Sequence, residues 1–208
     1  MKAQLARRPR PPQELGTGYA FLPAPEVGAW VEAQMLADDG PLHNPDHQHL
    51  IGADLVFLWA SQAFSKAGRT VLGQAEQVMI RAGGWQKARQ EQQLIEWFGR
   101  VPAFLITLAA DYCAVCSDAE FCALVEHELM HIAHATDEFG APKFTKDGRP
   151  RLALRGHDVS EFVAIVERYG VGDPKGDVAR MVAAAARPPS VSAISIAHSC
   201  GTCLLKVA

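Results

Sequence analysis

The chain has no apolar stretch near the roughly 20 residues that a membrane-spanning helix needs, so a helical bilayer span is not expected. It also lacks the features of a secretory signal, because Met1-Lys2-Ala3 leads into Arg7, Arg8, Arg10 and prolines rather than into an apolar core. The expectation is a soluble cytoplasmic protein. Cysteine is scarce and odd in number, five in 208 residues, which argues against a disulfide framework and leaves the thiols reduced or metal-bound. Charge of one sign is not in excess: a formal net charge of -3 gives no whole-chain drive toward nucleic acid or anionic membrane. No segment repeats. What the chain does have is apolar residues, 49% of the total, enough for one domain with a substantial core.

Residues 1–25 are rich in Pro, Arg and Gly without apolar periodicity, and are expected to form a mobile basic arm. Its Arg7-Arg8-Pro9-Arg10 run suits a phosphate backbone, but a solvated tail is the simpler reading. The main domain is expected over 26–187. Pro188-Pro189 sets off 188–208, a strand or hairpin packed on the domain or extending it. Val27, Trp30, Val31, Gln34 and Met35 share one face of a short helix from Glu26 to Asp38, ended by Gly40-Pro41. His43, His47 and His49 fall in a stretch with Asn44 and Pro45 that reads as a surface loop rather than a ligand set. Leu55 to Trp59 and Thr70 to Met79 read as two strands joined by the turn Lys66-Ala67-Gly68-Arg69, with a buried helix as the alternative for the first. A polar helix from Trp85 to Phe98 stops at Gly99, and Phe104 to Leu108 reads as a strand opened by Pro102. The order is that of an α+β domain.

The chemistry centres on Val125-Glu126-His127-Glu128-Leu129-Met130-His131. Ser117 and Glu120 form a capping box just before it, and Cys122, Val125, Leu129 and Ile132 recur at helical spacing as a core face. One turn apart on another face, His127 and His131 can reach a single ion at about 2.1 Å. Glu128 lies beside them, placed to take a proton from an activated water. Zinc in a catalytic site needs a third protein ligand and an open position. His134 is seven residues from His127, about 10 Å along a helix, too far to share the ion. His157 is the favoured third ligand, at the start of another helix that would carry Val159, Phe162, Val163 and Val166 inward, brought back by a loop from Gly140 to Arg155. Glu161 is the alternative. Asp158 and Asp137 are candidates to orient a liganding imidazole, beside plainer roles as a helix cap and a surface carboxylate.

These residues carry a resemblance. Phe104 to Leu108, the His127-Glu128-Leu129-Met130-His131 helix and Gly156-His157-Asp158-Val159-Ser160-Glu161-Phe162, with the segment Gly68 to Val78 upstream, resemble the metallopeptidases of phages and prophages and, more distantly, SprT-type proteases. The resemblance covers roughly residues 50 to 170. It implies a zincin-like fold, a small mixed sheet packed on the motif helix, with zinc (Zn2+) held by three His and Glu128 as base. A phage-encoded chain would work in the host cytoplasm. In SprT-type relatives the third ligand is also a His that begins a short helix, which favours His157.

The function this implies is hydrolysis of a protein or peptide substrate, with the strand Phe104 to Leu108 lying at the cleft to receive an extended peptide. Tyr169 and Arg155 are considered as oxyanion donors, with core packing and a solvated loop as the plainer fates. Cys113, Cys116, Cys200 and Cys203 form two Cys-x-x-Cys pairs that have the residue types for a structural zinc site, although buried or free thiols are the simpler reading. Lys143, Lys146, Arg149, Arg151 and Arg155 make the loop before His157 basic, and nucleic acid is a further partner to consider there. The competing function is a zinc-stabilised binding or nucleic-acid-associated module in which protease chemistry is absent or secondary.

Overall fold

The structure, a computed structural model, describes residues 6–13, 15, 18–66, 68–159, 166 and 170–190. In chain order these form β1 (Phe21–Pro23), α1 (Pro25–Val31) continued by a π-helical turn at Glu32–Leu36, a 3-10 turn at Pro45–Leu50, β2 (Leu55–Ala60), β3 (Phe64–Lys66), β4 (Arg69–Val71) and β5 (Gly73–Gln77). They continue with α2 (Gly84–Phe98), β6 (Phe104–Ala109), α3 (Ala110–Val115), α4 (Asp118–Met130), β7 (Ile132–His134), β8 (Leu152–Leu154) and α5 (Asp177–Ala185). Helices and small sheets alternate in a mixed α+β arrangement. No helix among the described residues is long and apolar enough to cross a membrane.

The main sheet runs in the order β1-β2-β6-β5. Strands β2 and β6 are parallel, pairing Leu55 with Phe104 through to Ala60 with Ala109, while β1 and β5 lie antiparallel outside them. Composition explains who takes the centre. Strand β6 is apolar on both faces and is buried between two partners, whereas β5 carries Gln74, Glu76 and Gln77 and lies at the edge. The expected pair of strands therefore forms but does not meet. The turn near Gly68 closes the small β3–β4 hairpin, Phe64 facing Val71, and β6 separates β2 from β5. With both its edges paired, β6 cannot accept a peptide strand, which overturns that expectation.

Alternation along the strands makes two unlike faces. Phe57, Trp59, Ala75, Ile106 and Leu108 point toward α1 and α4, where Val27, Phe121, Leu124, Val125 and Leu129 complete the core. Trp30 meets Phe121 edge-on, with ring centroids 5.5 Å apart. On the other face α2 covers the sheet without burying any of its own residues, and it ends where Gly99 turns left-handed at φ 73°.

Two segments expected to be solvated are docked instead. In the N-terminal segment Arg8 is 3% exposed. Its guanidinium donates to the carbonyls of Cys113 and Cys116 and to Asp118 Oδ1 (2.7 Å), and its Cζ lies 4.9 Å over the Phe121 ring. Ala6 N donates to Gln34 Oε1 at 2.9 Å. A charge satisfied by the carbonyl end of α3 and by a carboxylate can be buried, so described residues here are not a free arm. The His43–His49 stretch is likewise not a surface loop throughout: His47 is fully buried, and neither of its ring nitrogens has a hydrogen-bond partner among the described residues. Asn44 Nδ2 donates to Glu126 Oε1 at 2.8 Å, tying the 3-10 turn to α4. The expected helix carrying Phe162, Val163 and Val166, and the C-terminal strand or hairpin, fall mostly or wholly outside the described residues.

Candidate metal centre

The site is built on α4. Its first turn is fixed by the capping box, in which Glu120 N donates to Ser117 Oγ (3.3 Å) and Ser117 N donates to Glu120 Oε2 (2.7 Å). Those bonds to Ser117 hold the Glu120 carboxyl below the usual range. Cys122, Val125, Leu129 and Ile132 are all buried, as the spacing predicts, although Ile132 already belongs to β7 because the helix stops at His131. Anchored on that side, α4 turns His127 and His131 toward the returning chain at His157.

Strands β7 and β8 perform that return. They pair antiparallel, Ile132 with Leu154 and His134 with Leu152, and the chain between them folds back on itself through bridges at Thr136–Pro142 and Phe144–Pro150. The expected loop from Gly140 to Arg155 is thus largely a ribbon. His134 sits on β7, with Nε2 2.7 Å from the Lys143 carbonyl oxygen and its ring against Phe144, away from the other histidines.

His127 Nε2 lies 3.3 Å from His131 Nε2 and 3.3 Å from His157 Nε2, and one nitrogen from each ring falls within 4.8 Å of the others. A tetrahedral ion with metal–nitrogen bonds of about 2.0–2.1 Å has ligand atoms about 3.3–3.4 Å apart, so two edges of the cluster already have that spacing. The chemistry agrees. His131 Nδ1 lies 2.9 Å from the Arg155 carbonyl oxygen, which can only accept, so this ring carries its proton on Nδ1 and presents a lone pair at Nε2. Burial, reinforced by the neighbouring His131 and His157, lowers His127 to about 4, so it too is neutral at neutral pH. These three residues fit a divalent ion.

Glu128, fully buried, faces β5. Its Oε2 accepts from Ala75 N at 2.9 Å. Gly73 makes this approach possible: a Cβ there would lie 2.8 Å from Glu128 Oε1 and 2.9 Å from Leu124 Cδ1. A glycine inside an apolar strand signals close backbone approach, and that signal was present in Thr70-Val71-Leu72-Gly73.

Arg155, expected on a solvated loop, is a strut. Its N donates to the His131 carbonyl (2.8 Å), its Nε to the Met130 carbonyl (2.7 Å) and its Nη1 to Asp158 Oδ1 (2.7 Å). It thereby ties the last turn of α4 to the segment bearing His157. Asp158 pairs with Arg155, and Asp137 accepts from Phe139 N and Ala141 N at 2.9 Å each, contacts that tie both carboxylates to groups other than a liganding imidazole. Glu161 and Tyr169 lie outside the described residues, as do Cys200 and Cys203. Cys113 and Cys116 are buried beneath Arg8; their mutual hydrogen bond raises Cys113 and brings Cys116 down to about 7, with burial opposing and Arg8 adding to the lowering.

Together the fold and the site define an α+β protein with a three-histidine cluster able to hold a metal ion and, next to His127 in the chain, a buried carboxylate. The chain belongs to the family described as "Putative phage metallopeptidase", which matches residues 28–186 and so spans the sheet, α4 and His157. No curated protein and no solved structure matches it.

Proposed function

We propose that this chain is a zinc-dependent peptidase of zincin-like build, with His127, His131 and His157 as ligands and Glu128 as general base. The observation that carries the proposal is the convergence of three imidazole nitrogens, two pairs of them 3.3 Å apart, with a buried glutamate following His127 directly on α4. When bound, zinc supplies Lewis acidity, lowering the pKa of a water toward neutrality and polarising a carbonyl. Glu128 accepts the proton of the attacking water and returns it to the leaving amine, while Ala75 N holds its carboxylate in place. The Arg155 carbonyl keeps His131 in the tautomer that ligates. An extended protein or peptide substrate is received along β5, the edge strand beside Glu128, in place of the interior β6.

Glu128→Gln tests the reading. The variant is expected to retain one zinc per chain by elemental analysis while hydrolysis of an unfolded protein substrate falls by about 10²–10⁴-fold. Retained hydrolysis would remove Glu128 from the mechanism. Zinc binding by the wild-type chain without hydrolysis would favour a metal-stabilised binding module instead.

A further inference from the structure

The face of the sheet opposite the metal centre carries a solvent-open cavity of about 370 Å³, bordered by the sheet, α2 and the β3–β4 hairpin. That volume falls within the range of small-molecule sites, about 300–1,000 Å³. Its walls are largely apolar, Leu58 and Leu105 among them, and Tyr19, Phe21, Phe64 and Trp97 contribute aromatic rings. Strand register puts one carboxylate into this setting. Glu76, opposite Leu105 on β6, points to the outer face, whereas its neighbour Ala75 is buried on the inner one.

Among the described residues Glu76 has no cationic partner within ion-pair distance; its polar contact is Gln74 Nε2 at 3.5 Å. Burial accordingly raises its pKa, with no opposing charge. A desolvated carboxylate is costly without a partner, a neutral occupant would leave that cost in place, and an anion would add repulsion. An organic cation offsets it, and aromatic faces attract the same charge through their quadrupoles. We infer that this cavity binds a small organic ammonium ion with an apolar body, its charge seated between the Glu76 carboxylate and the rings of Tyr19, Phe21, Phe64 and Trp97. The site is separate from the metal cluster, since side chains at 74 and 76 face away from α4, and its occupancy requires no metal.

Choline and 3,3-dimethylbutan-1-ol test this, because they share a shape and differ in charge, and the quaternary nitrogen cannot ligate a metal. Each is titrated into the full chain, with and without zinc, and read by calorimetry and tryptophan fluorescence. Choline is expected to bind saturably, at least tenfold more tightly than the alcohol, whether or not zinc is present. Glu76→Gln should reduce the difference between the two ligands severalfold, leaving the part that the aromatic rings supply. Tyr19→Leu, at a residue 61% exposed and so of little consequence for folding, should weaken choline severalfold and leave the alcohol unchanged. Equal binding of the two ligands, no binding of choline, or an undiminished preference in a folded Glu76→Gln chain would overturn the inference. None of these outcomes depends on peptidase activity, so the inference and the proposed function fail separately.

Discussion

The two faces of the main sheet are made by the same strands and are packed differently. Toward α4, Ile106, Leu108 and Ala75 are wholly excluded from solvent and the helix approaches so closely that position 73 has no room for a Cβ. Toward α2, the covering helix buries none of its residues, Trp85 is 94% exposed, and a cavity remains. The inner face holds groups that must meet at fixed distances, Glu128 with Ala75 N and the three histidines with one another. Close packing supplies that fixity, because side chains there cannot move without opening a void. The outer face carries a different arrangement, a cavity lined by aromatic rings and by a carboxylate with no cationic partner among the described residues.

Truncating neighbours on one strand breaks or sharpens this contrast most directly. Ile106→Ala on the inner face should cost about 2–5 kcal/mol of unfolding free energy in denaturant melts. Leu105→Ala, one residue away and lining the outer cavity, should cost under about 2 kcal/mol, since part of its surroundings is already open. Equal costs would mean that α2 packs as tightly as α4.

The next effect is on pH dependence. Burial, with smaller contributions from His49 and Arg155 and opposed by Asp46, lowers His47 from 6.5 to about 4; Glu126 Oε1 lies 3.9 Å from its Nε2. The unfolded chain therefore binds this proton more readily than the folded one. The stability in question is fully present above pH 6.5 and is lost as the pH falls toward 4, by about 3 kcal/mol. His47→Leu should flatten the melting profile across that window while changing little at pH 7.

Gly73→Ala should destabilise by about 1–3 kcal/mol, because Glu128 and Leu124 must give way, and should lower hydrolysis more than it lowers zinc content. Arg155→Met should leave the fold intact and weaken zinc affinity by about 10–100-fold, measured by competition with a chelator, because the segment bearing His157 loses its tie to the end of α4. An unchanged affinity would show that β7–β8 pairing and the backbone bonds at position 155 suffice to position His157.

Much of this was legible locally. The capping box before α4, the glycine that ends α2, the apolar run of β6 and the i, i+4 histidine pair are short-range patterns whose physics operates within a few residues. The helix-entry context of Gly156-His157-Asp158 and the family resemblance both point to His157, which lies against His127 in the structure. What was missed depends on distant partners. Arg8 reads as a tail residue until the carbonyls of Cys113 and Cys116 are beside it, and His47 reads as a loop residue until the 3-10 turn is laid against α4.

By itself, the sequence determined which residues had the chemistry to bind a cation and take up a proton, and where the longer elements α1, α2, α4, β2 and β6 would form, since residue type and local periodicity suffice for both. The tertiary structure alone decided that β6 would lie inside and β5 at the edge, that Gly73 would face Glu128, and that Glu76 would be partly buried at an apolar cavity. The reason is that pairing between strands far apart in the chain is settled by the burial of whole faces at once, and no single segment carries that information.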